Sequence, residues 1–156
     1  MGQGAQPQVL EPEMKLLTTS QRHRENKTKV KDSARTNVPV HLTLAEALEK
    51  LVGSALSSVS FVADYIQFAF DGPELTAYTL PIVSSGSERL ESGQLGYRDS
   101  LCKQIGRRVQ RVEVNDQHVS VLFKEGAAIS ISVLDKDYTG PEALQFSLDQ
   151  KRIWIV

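Results

Sequence analysis

Histidine is the first residue type to consider, because its imidazole binds metal ions and transfers protons near neutral pH. The chain has three histidines, His23, His41 and His118. None of them belongs to an HxxxH or HExxH arrangement, the spacing that places two imidazoles on one face of a helix to hold zinc. The sequence therefore predicts no metal site and no cofactor.

Cys102 is the single cysteine, so the chain forms no internal disulfide and has too few thiolates for a metal site. This usage agrees with a reducing compartment. A thiol is also a potential nucleophile. Because Leu101 and Ile105 place Cys102 on or beside the core face of a predicted helix, a buried structural thiol is the favoured interpretation.

Carboxylates offer a third kind of chemistry. Asp135, Asp137 and Glu142 lie close together in the sequence and could act in acid–base catalysis or cation binding. The EF-hand spacing is absent, however, and aspartates favour turns because they bond local backbone amides. The sequence contains no GxSxG, P-loop or GxGxxG motif, and the segment Gly93-Gln94-Leu95-Gly96 lacks a preceding strand. No catalytic residue is predicted, and an enzyme is the least favoured class.

A polar set flanks the start of the predicted second helix. Tyr97, Arg98 and Asp99 belong to that helix, and Tyr138 precedes a glycine-proline loop. These four side chains could converge into a site. They could equally form a capping and salt-bridge network, which is common where a helix begins.

Basic residues gather in two places. One cluster follows the second predicted helix: Lys103, Arg107, Arg108 and Arg111. It could bind nucleic acid or another anion, or it could complement the negative end of the helix dipole. The other is the N-terminal run Arg22, His23, Arg24, Lys27, Lys29, Lys31 and Arg35, which lacks interleaved aromatic residues for stacking on bases.

The elements that position these residues follow from capping signals and hydrophobic spacing. Thr43 and Glu46 form a capping-box pair, and the helix that they begin should end before Gly53. Three strands are predicted after it, over residues 56–62, 65–70 and 75–82. A second helix, over residues 97–105, precedes three more strands at 109–114, 118–123 and 128–133. Residues 144–148 and 153–156 form a final hairpin.

The order of elements repeats along the chain. An offset of 53 aligns Leu48 with Leu101, Gly53 with Gly106 and Phe70 with Phe123. After the hairpin turn an offset of 54 aligns Gly72 with Gly126 and Leu80 with Leu134. Such agreement of helix stops, strand alternation and turns is typical of an internal repeat. We predict repeat units at about 43–82 and 97–134.

Alternation along the strands predicts their faces. Ile66, Phe68 and Phe70 share an apolar face, as do Val119, Val121 and Phe123. The predicted fold is therefore α+β: a tandem duplication of a helix-plus-three-strand unit forms a mainly antiparallel sheet, with two helices on one face and the C-terminal hairpin, residues 144–156, beside it. Trp154 should close the core at one edge. The opposite face is polar and partly open, and its predicted partner-binding residues are Tyr78, His118, Ser120, Ser130 and Ser132.

Composition sets the limits of the domain. The chain has 156 residues, 40% hydrophobic and 24% charged, which suits one domain at residues 41–156. Residues 1–37 carry seven basic and four acidic residues, and the rest carries eleven and fifteen. Polar composition predicts a disordered basic tail over residues 1–40. No apolar stretch suits a membrane span or a signal peptide, so we expect a soluble, cytoplasmic protein.

The segment Tyr97-Arg98-Asp99-Ser100-Leu101-Cys102, together with the later Asp137-Tyr138-Thr139-Gly140-Pro141, resembles small uncharacterised bacterial proteins with strand-rich cores. The resemblance covers roughly residues 60–156 and implies no reaction, substrate or cofactor. We expect a noncatalytic protein-interaction module, such as an immunity-like binder, that binds a protein partner or a second copy. The alternative is a weak nucleic-acid or anion binder that uses the tail and the cluster from Lys103 to Arg111.

Overall fold

Strands dominate residues 41–156, the part of the chain that the computed structural model describes. Strand makes up 45% of these residues, and helix, including the short 3₁₀ helices Glu49–Leu51 and Asp135–Asp137, makes up 15%. The predicted basic tail, residues 1–40, lies outside the described residues. The elements are, in order: α1 Leu44–Leu48, β1 Leu56–Phe61, β2 Ile66–Phe70, β3 Glu74–Ala77, β4 Ile82–Ser85, β5 Glu88–Leu90, α2 Tyr97–Cys102, β6 Val109–Val114, β7 His118–Phe123, β8 Ala127–Ser132, β9 Leu144–Asp149 and β10 Arg152–Ile155.

The strands form two antiparallel sheets of five strands each. The first sheet has the order β1-β2-β3-β9-β10, and the second has the order β5-β4-β8-β7-β6. The hairpin β4–β5 therefore leaves the strands that precede it and pairs with β8, while the hairpin β9–β10 pairs with β3. Each half of the domain thus gives its last two strands to the other half's sheet.

The prediction of an α+β fold with one sheet is wrong. The segment predicted as a single strand over residues 75–82 is broken, because β3 ends at Ala77. The backbone N–H groups of Tyr78 and Thr79 both donate to the Ala143 carbonyl, 2.9 Å away. Pro81 then supplies no N–H at all, which ends strand pairing at that point. The chain crosses to the second sheet, where Ile82 begins β4.

The predicted three-strand unit is also too short. Each half is a helix followed by five strands, and the C-terminal hairpin β9–β10 is the counterpart of β4–β5. Strands β4 and β5 were not predicted, because Ser84, Ser85, Ser87 and Glu88 give them little hydrophobic alternation. Gly86 makes their tight turn with a φ of 60°, a conformation that costs glycine little.

The two helices are short and do not lie together over one sheet. The predicted capping box forms, because the Glu46 backbone N–H donates to Thr43 Oγ1 and the Thr43 N–H donates to Glu46 Oε2, 2.8 Å away. Helix α1 contacts β6 and β9, whereas α2 contacts β1 and β4, so each helix touches both sheets. Helix α2 ends at Cys102, three residues before the predicted end. Within residues 41–156 no helix combines the length and apolar character needed to cross a membrane.

Backbone contacts recur in the two halves at a spacing of 53 residues. Gly53 and Gly106 follow the two helices with φ angles of 87° and 86°. The Gly53 N–H donates to the Val109 carbonyl, and the Gly106 N–H donates to the Leu56 carbonyl. The first strand of each half also carries a bulge, between Leu56 and Ser58 in β1 and between Val109 and Arg111 in β6. The halves are therefore related by an approximate two-fold axis.

One hydrophobic core lies between the elements. The predicted inward faces are confirmed, because Ile66, Phe68 and Phe70 of β2 and Val119, Val121 and Phe123 of β7 are all buried. Trp154 packs against this core at the β10 edge, with its ring centroid 6.0 Å from that of Phe146. Thr76 is a buried polar residue. It lies on a central strand between Gln67 and Gln145, whose longer side chains flank it on the same face.

Candidate functional site

The structure divides the predicted partner-binding set between the two sheets. Tyr78 directly follows β3 of the first sheet, whereas His118, Ser120, Ser130 and Ser132 lie on β7 and β8 of the second. The half-buried Tyr78 ring packs against Tyr65, with 5.8 Å between centroids. Burial, the charge of Glu142 and the neighbouring Tyr65 raise the pKa of the Tyr78 hydroxyl.

A polar depression lies on the outer face of the second sheet; we call it the serine pocket. It encloses about 250 Å³ and is lined by Ile82, Ser84, Arg89, Asn115, His118, Ser120 and Ser130. Antiparallel pairing brings Ser120 opposite Ser130 and Ser130 opposite Ile82, so these residues share a face. The structure therefore brings three of the predicted residues together here, and leaves out Tyr78 and Ser132.

The serine hydroxyls in and beside the serine pocket form hydrogen bonds within the protein. The hydroxyl oxygens of Ser120 and Ser130 are 2.8 Å apart, so one donates to the other. A serine nucleophile needs a hydrogen bond to a base such as imidazole, and here the partner of Ser120 is a second hydroxyl. The Ser132 hydroxyl donates to Asp137 Oδ2, 2.6 Å away, and is thereby fixed beyond the pocket.

The predicted polar cluster at the start of α2 also separates. The buried Tyr97 hydroxyl donates to the Pro81 carbonyl at 2.6 Å, and burial raises its pKa to about 12. Arg98 extends over the Phe61 ring, with its guanidinium carbon 5.4 Å from the ring centroid. Tyr138 follows β8, and its hydroxyl donates to the Val133 carbonyl at 3.4 Å. Arg98 and Asp99 thus lie on one surface with Phe61, whereas Tyr138 contacts the segment that follows β8.

Most of the predicted basic cluster is engaged within the protein. Arg107 pairs with Glu125 at 3.0 Å and Arg111 pairs with Glu113 at 2.8 Å. Arg108 donates to the Gly53 carbonyl at 2.7 Å, across the two-fold axis. These contacts reduce the positive potential that an anion would meet at this surface. Lys103 is exposed beside them.

A second, larger depression than the serine pocket is a cleft beside α2, which we call the Leu95 cleft. It encloses about 570 Å³ between the β1–β2 turn and the loop before α2. Phe61, Val62, Ile66 and Leu80 provide apolar surface. The remaining lining residues are Ala63, Ser92, Gly93, Gln94, Leu95, Gly96, Tyr97, Arg98 and Asp99. Arg98 and Asp99 place one charge of each sign in this lining.

Leu95 is the unusual residue of this cleft, because 99% of it is exposed. The loop that carries it is held by three hydrogen bonds around Gln94. The Gln94 backbone N–H donates to the Glu91 carbonyl at 3.1 Å, and the Gln94 carbonyl accepts from the Tyr97 N–H at 3.2 Å. The Gln94 side-chain Oε1 accepts from the Glu91 N–H at 2.7 Å. Gly93 and Gly96 supply the two positive φ angles. The loop therefore presents Leu95 to solvent from a fixed backbone.

The approximate two-fold axis gives Leu95 a counterpart that is covered. Leu42, 53 residues earlier, is partly buried against the core, and the Trp154 indole N–H donates to its carbonyl at 3.0 Å. Strand pairing places Leu90 at the position that corresponds to Trp154. In the hairpin β4–β5 Leu90 lies opposite Val83, and in the equivalent hairpin β9–β10 Trp154 lies opposite Phe146. The leucine side chain has neither an indole ring nor an N–H group, so it covers less of the loop.

The Leu95 cleft was not predicted from the sequence. The segment Gly93-Gln94-Leu95-Gly96 was considered only for phosphate binding, and the spacing between Leu42 and Leu95 was the signal that could have indicated more. Cys102, expected to be buried, is exposed. Among residues 41–156 no group of three or more His, Cys, Asp or Glu side chains is close enough to hold a metal ion.

Comparison with known proteins adds no relative. No protein-family model matches the chain, nor does any of the curated proteins or solved structures compared with it.

Proposed function

We propose that this protein is a noncatalytic binding module that docks a polypeptide partner in the Leu95 cleft. The observation that carries the proposal is the near-complete exposure of Leu95 on a loop held by hydrogen bonds. Single exposed apolar residues are ordinary on protein surfaces. Leu95 differs because it adjoins a cleft that already contains Phe61, Val62 and Leu80. A fixed apolar anchor beside a cleft that combines apolar and polar lining residues is the arrangement of a protein-interaction hot spot.

The covered half of the domain indicates which partner side chain fits. There the Trp154 indole lies over the loop and donates to the Leu42 carbonyl. At the other half the corresponding position holds only Leu90, which leaves room beside Leu95. We therefore expect the partner to insert an aromatic side chain, preferably tryptophan, because its N–H can donate to the Leu95 carbonyl as Trp154 does to that of Leu42.

The charged lining residues fit the same occupant. Arg98 lies over Phe61 and Asp99 follows it, so a polypeptide backbone in the cleft would meet a donor and an acceptor beside the apolar surface. Polar groups around an apolar centre are the usual composition of a protein interface. They would orient the partner segment, while the aromatic side chain supplied most of the binding energy.

The experiment selects peptides from a random library against the full chain and measures their affinity by fluorescence anisotropy. We expect an aromatic consensus and at least about five-fold weaker binding to Leu95→Ser, equivalent to roughly 1 kcal/mol. Ile105→Ser is the matched control, because Ile105 is an apolar residue, 44% exposed, outside the cleft. It should change the affinity by less than about two-fold.

Several outcomes would contradict this proposal. Equal binding to wild type and Leu95→Ser would place the docking surface elsewhere. Tyr78→Ala tests the surface expected from the sequence: if it weakens binding while Leu95→Ser does not, Tyr78 is the anchor. Sedimentation that shows a dimer for wild type and a monomer for Leu95→Ser would make the occupant a second copy of the chain.

A further inference from the structure

We propose that the serine pocket binds a tetrahedral oxyanion, namely phosphate or the phosphate group of a small ester. This site is separate from the Leu95 cleft and does not depend on the proposed function. Every polar lining residue of the pocket can donate a hydrogen bond: Ser84, Arg89, Asn115, His118, Ser120 and Ser130. None of its lining residues is acidic. Convergent donors without a carboxylate are what an anion requires.

The hydrogen bonds within the pocket leave donors directed to a ligand. Asn115 Oδ1 already accepts from the backbone N–H groups of Gln117 and His118, at 2.9 and 2.8 Å. The amide nitrogen is then the atom of Asn115 with protons to offer. The bond between Ser120 and Ser130 uses one hydroxyl proton, so the other remains for a ligand oxygen. Ser84 adds a third hydroxyl at the β5 side of the pocket.

Nearby carboxylates are occupied with other groups. Glu113 lies opposite Ser120 but pairs with Arg111, and Asp137 accepts from Ser132. Glu91 is the nearest competitor for Arg89, at a long distance of 3.7 Å between exposed side chains. Exposed pairs of this kind contribute little free energy. The Arg89 guanidinium can therefore turn to a phosphate, which it contacts through two parallel N–H groups.

The arrangement of the donors favours a tetrahedral anion over a planar carboxylate. They come from four adjacent strands of the second sheet, β5, β4, β8 and β7, and from the loop before β7, so they are spread across the pocket instead of being confined to one strand. A phosphate group presents three or four acceptor oxygens in different directions. A carboxylate presents two oxygens in one plane and would leave some of these donors without a partner.

The test is an NMR titration of the full chain with inorganic phosphate, O-phosphoserine and acetate, at constant pH and ionic strength. We expect saturable shifts of the amide resonances of Ser84, Ser120 and Ser130, with a Kd for phosphate on the order of 1 mM. Arg89→Gln should raise that Kd at least about ten-fold. Arg152→Gln is the matched control, because its side chain is 55% exposed and lies on β10 of the first sheet, outside the serine pocket. It should change the Kd by less than about two-fold.

Each outcome decides the proposal. Tighter binding of O-phosphoserine identifies an ester as the ligand, and tighter binding of inorganic phosphate identifies the free ion; both support the pocket. Shifts that do not saturate, or equal effects of Arg89→Gln and Arg152→Gln, would overturn it. Acetate binding as tight as phosphate would overturn the tetrahedral assignment. Ser130→Ala, expected to raise the Kd at least about three-fold, provides an independent test if Arg89→Gln does not fold.

Discussion

Ala55 and Arg108 form an isolated antiparallel bridge between the beginnings of β1 and β6. The two residues are equivalent positions of the two halves, so the bridge lies on the approximate two-fold axis. Around it, Leu56 donates to the Arg107 carbonyl at 3.0 Å and Val109 donates to the Ser54 carbonyl at 2.9 Å. This reciprocal contact joins the two sheets at their β1 and β6 edges and makes the halves depend on each other.

Gly53 and Gly106, which precede this bridge, should both resist substitution by alanine. Their φ angles of 87° and 86° lie in the left-handed region, where a Cβ atom is strained even though open space surrounds it. We expect Gly53→Ala and Gly106→Ala each to lower the free energy of unfolding by about 1–2 kcal/mol. Gly140→Ala is the control, because no positive φ restricts it and its Cβ would also meet open space. Urea denaturation measures all three. A loss as large for Gly140→Ala would refute the conformational explanation.

The equivalent phenylalanines Phe70 and Phe123 should be essential to the core. Both are buried. Phe70 is the last residue of β2 and lies opposite Leu56 of β1, and Phe123 is the last residue of β7 and lies opposite Val109 of β6. Truncation to alanine should therefore cost about 3–5 kcal/mol at either position. Thermal or chemical unfolding provides the measurement, with the exposed Val52→Ala as a control expected within about 0.5 kcal/mol. A cost below about 1 kcal/mol for either phenylalanine would contradict its burial.

Tyr97 should make stability depend on pH in the alkaline range. Burial raises the pKa of its hydroxyl from 10.0 to about 12. Between these values the unfolded chain releases the proton and the folded protein keeps it. The contribution is therefore complete below about pH 10 and is lost as pH rises towards about 12, at up to roughly 1.4 kcal/mol per pH unit.

The Tyr97→Phe variant isolates this effect from other groups that titrate at high pH. Its free energy of unfolding should fall less steeply than that of wild type between about pH 10 and about pH 12. An absorbance titration of the tyrosines should show one fewer high-pKa phenol in the variant. Identical slopes for the two proteins would show that the Tyr97 proton is not retained by folding.

Leu51 and Gln104 occupy equivalent positions in the two halves, but one side chain is apolar and the other is polar. Both are buried, and Gln104 donates to the Ser100 carbonyl at 2.9 Å while its Oε1 lacks a hydrogen-bond partner among the described residues. We expect Gln104→Leu to change the free energy of unfolding by no more than about 1 kcal/mol, because the loss of one hydrogen bond is offset by removal of the unpaired oxygen.

The reciprocal change should behave differently. Leu51→Gln places an amide at a buried position whose surroundings are apolar, so a loss of at least about 2 kcal/mol is expected. Parallel denaturation of Leu51→Gln and Gln104→Leu measures the asymmetry. Equal costs for the two variants would mean that the two positions have the same surroundings.

Much of the local structure was predictable because its causes are local. The capping box of Thr43 and Glu46, the glycines after both helices and the alternation around Phe70 and Phe123 each depend on residues a few positions apart. The hairpin β4–β5 was missed for a related reason, since its serines lack the apolar alternation that marks a strand.

The partners of the strands were decided only by the tertiary structure. Without an added hairpin, β3 and β8 would each have an unpaired side that can accept antiparallel strands. No local pattern indicates whether β4–β5 pairs within its own half or with the other half.

The exposure of Leu95 also depends on residues that are distant in the sequence. Leu42 and Leu95 are identical residues at equivalent positions, and they differ because a tryptophan 112 residues away lies against the first and a leucine takes that place near the second. The sequence by itself determined the capping box, the glycines that follow the helices and the buried faces of β2 and β7, because these follow from neighbours along the chain. Which sheet each hairpin joins and which leucine stays uncovered follow from contacts between distant residues, so only the folded structure decided them.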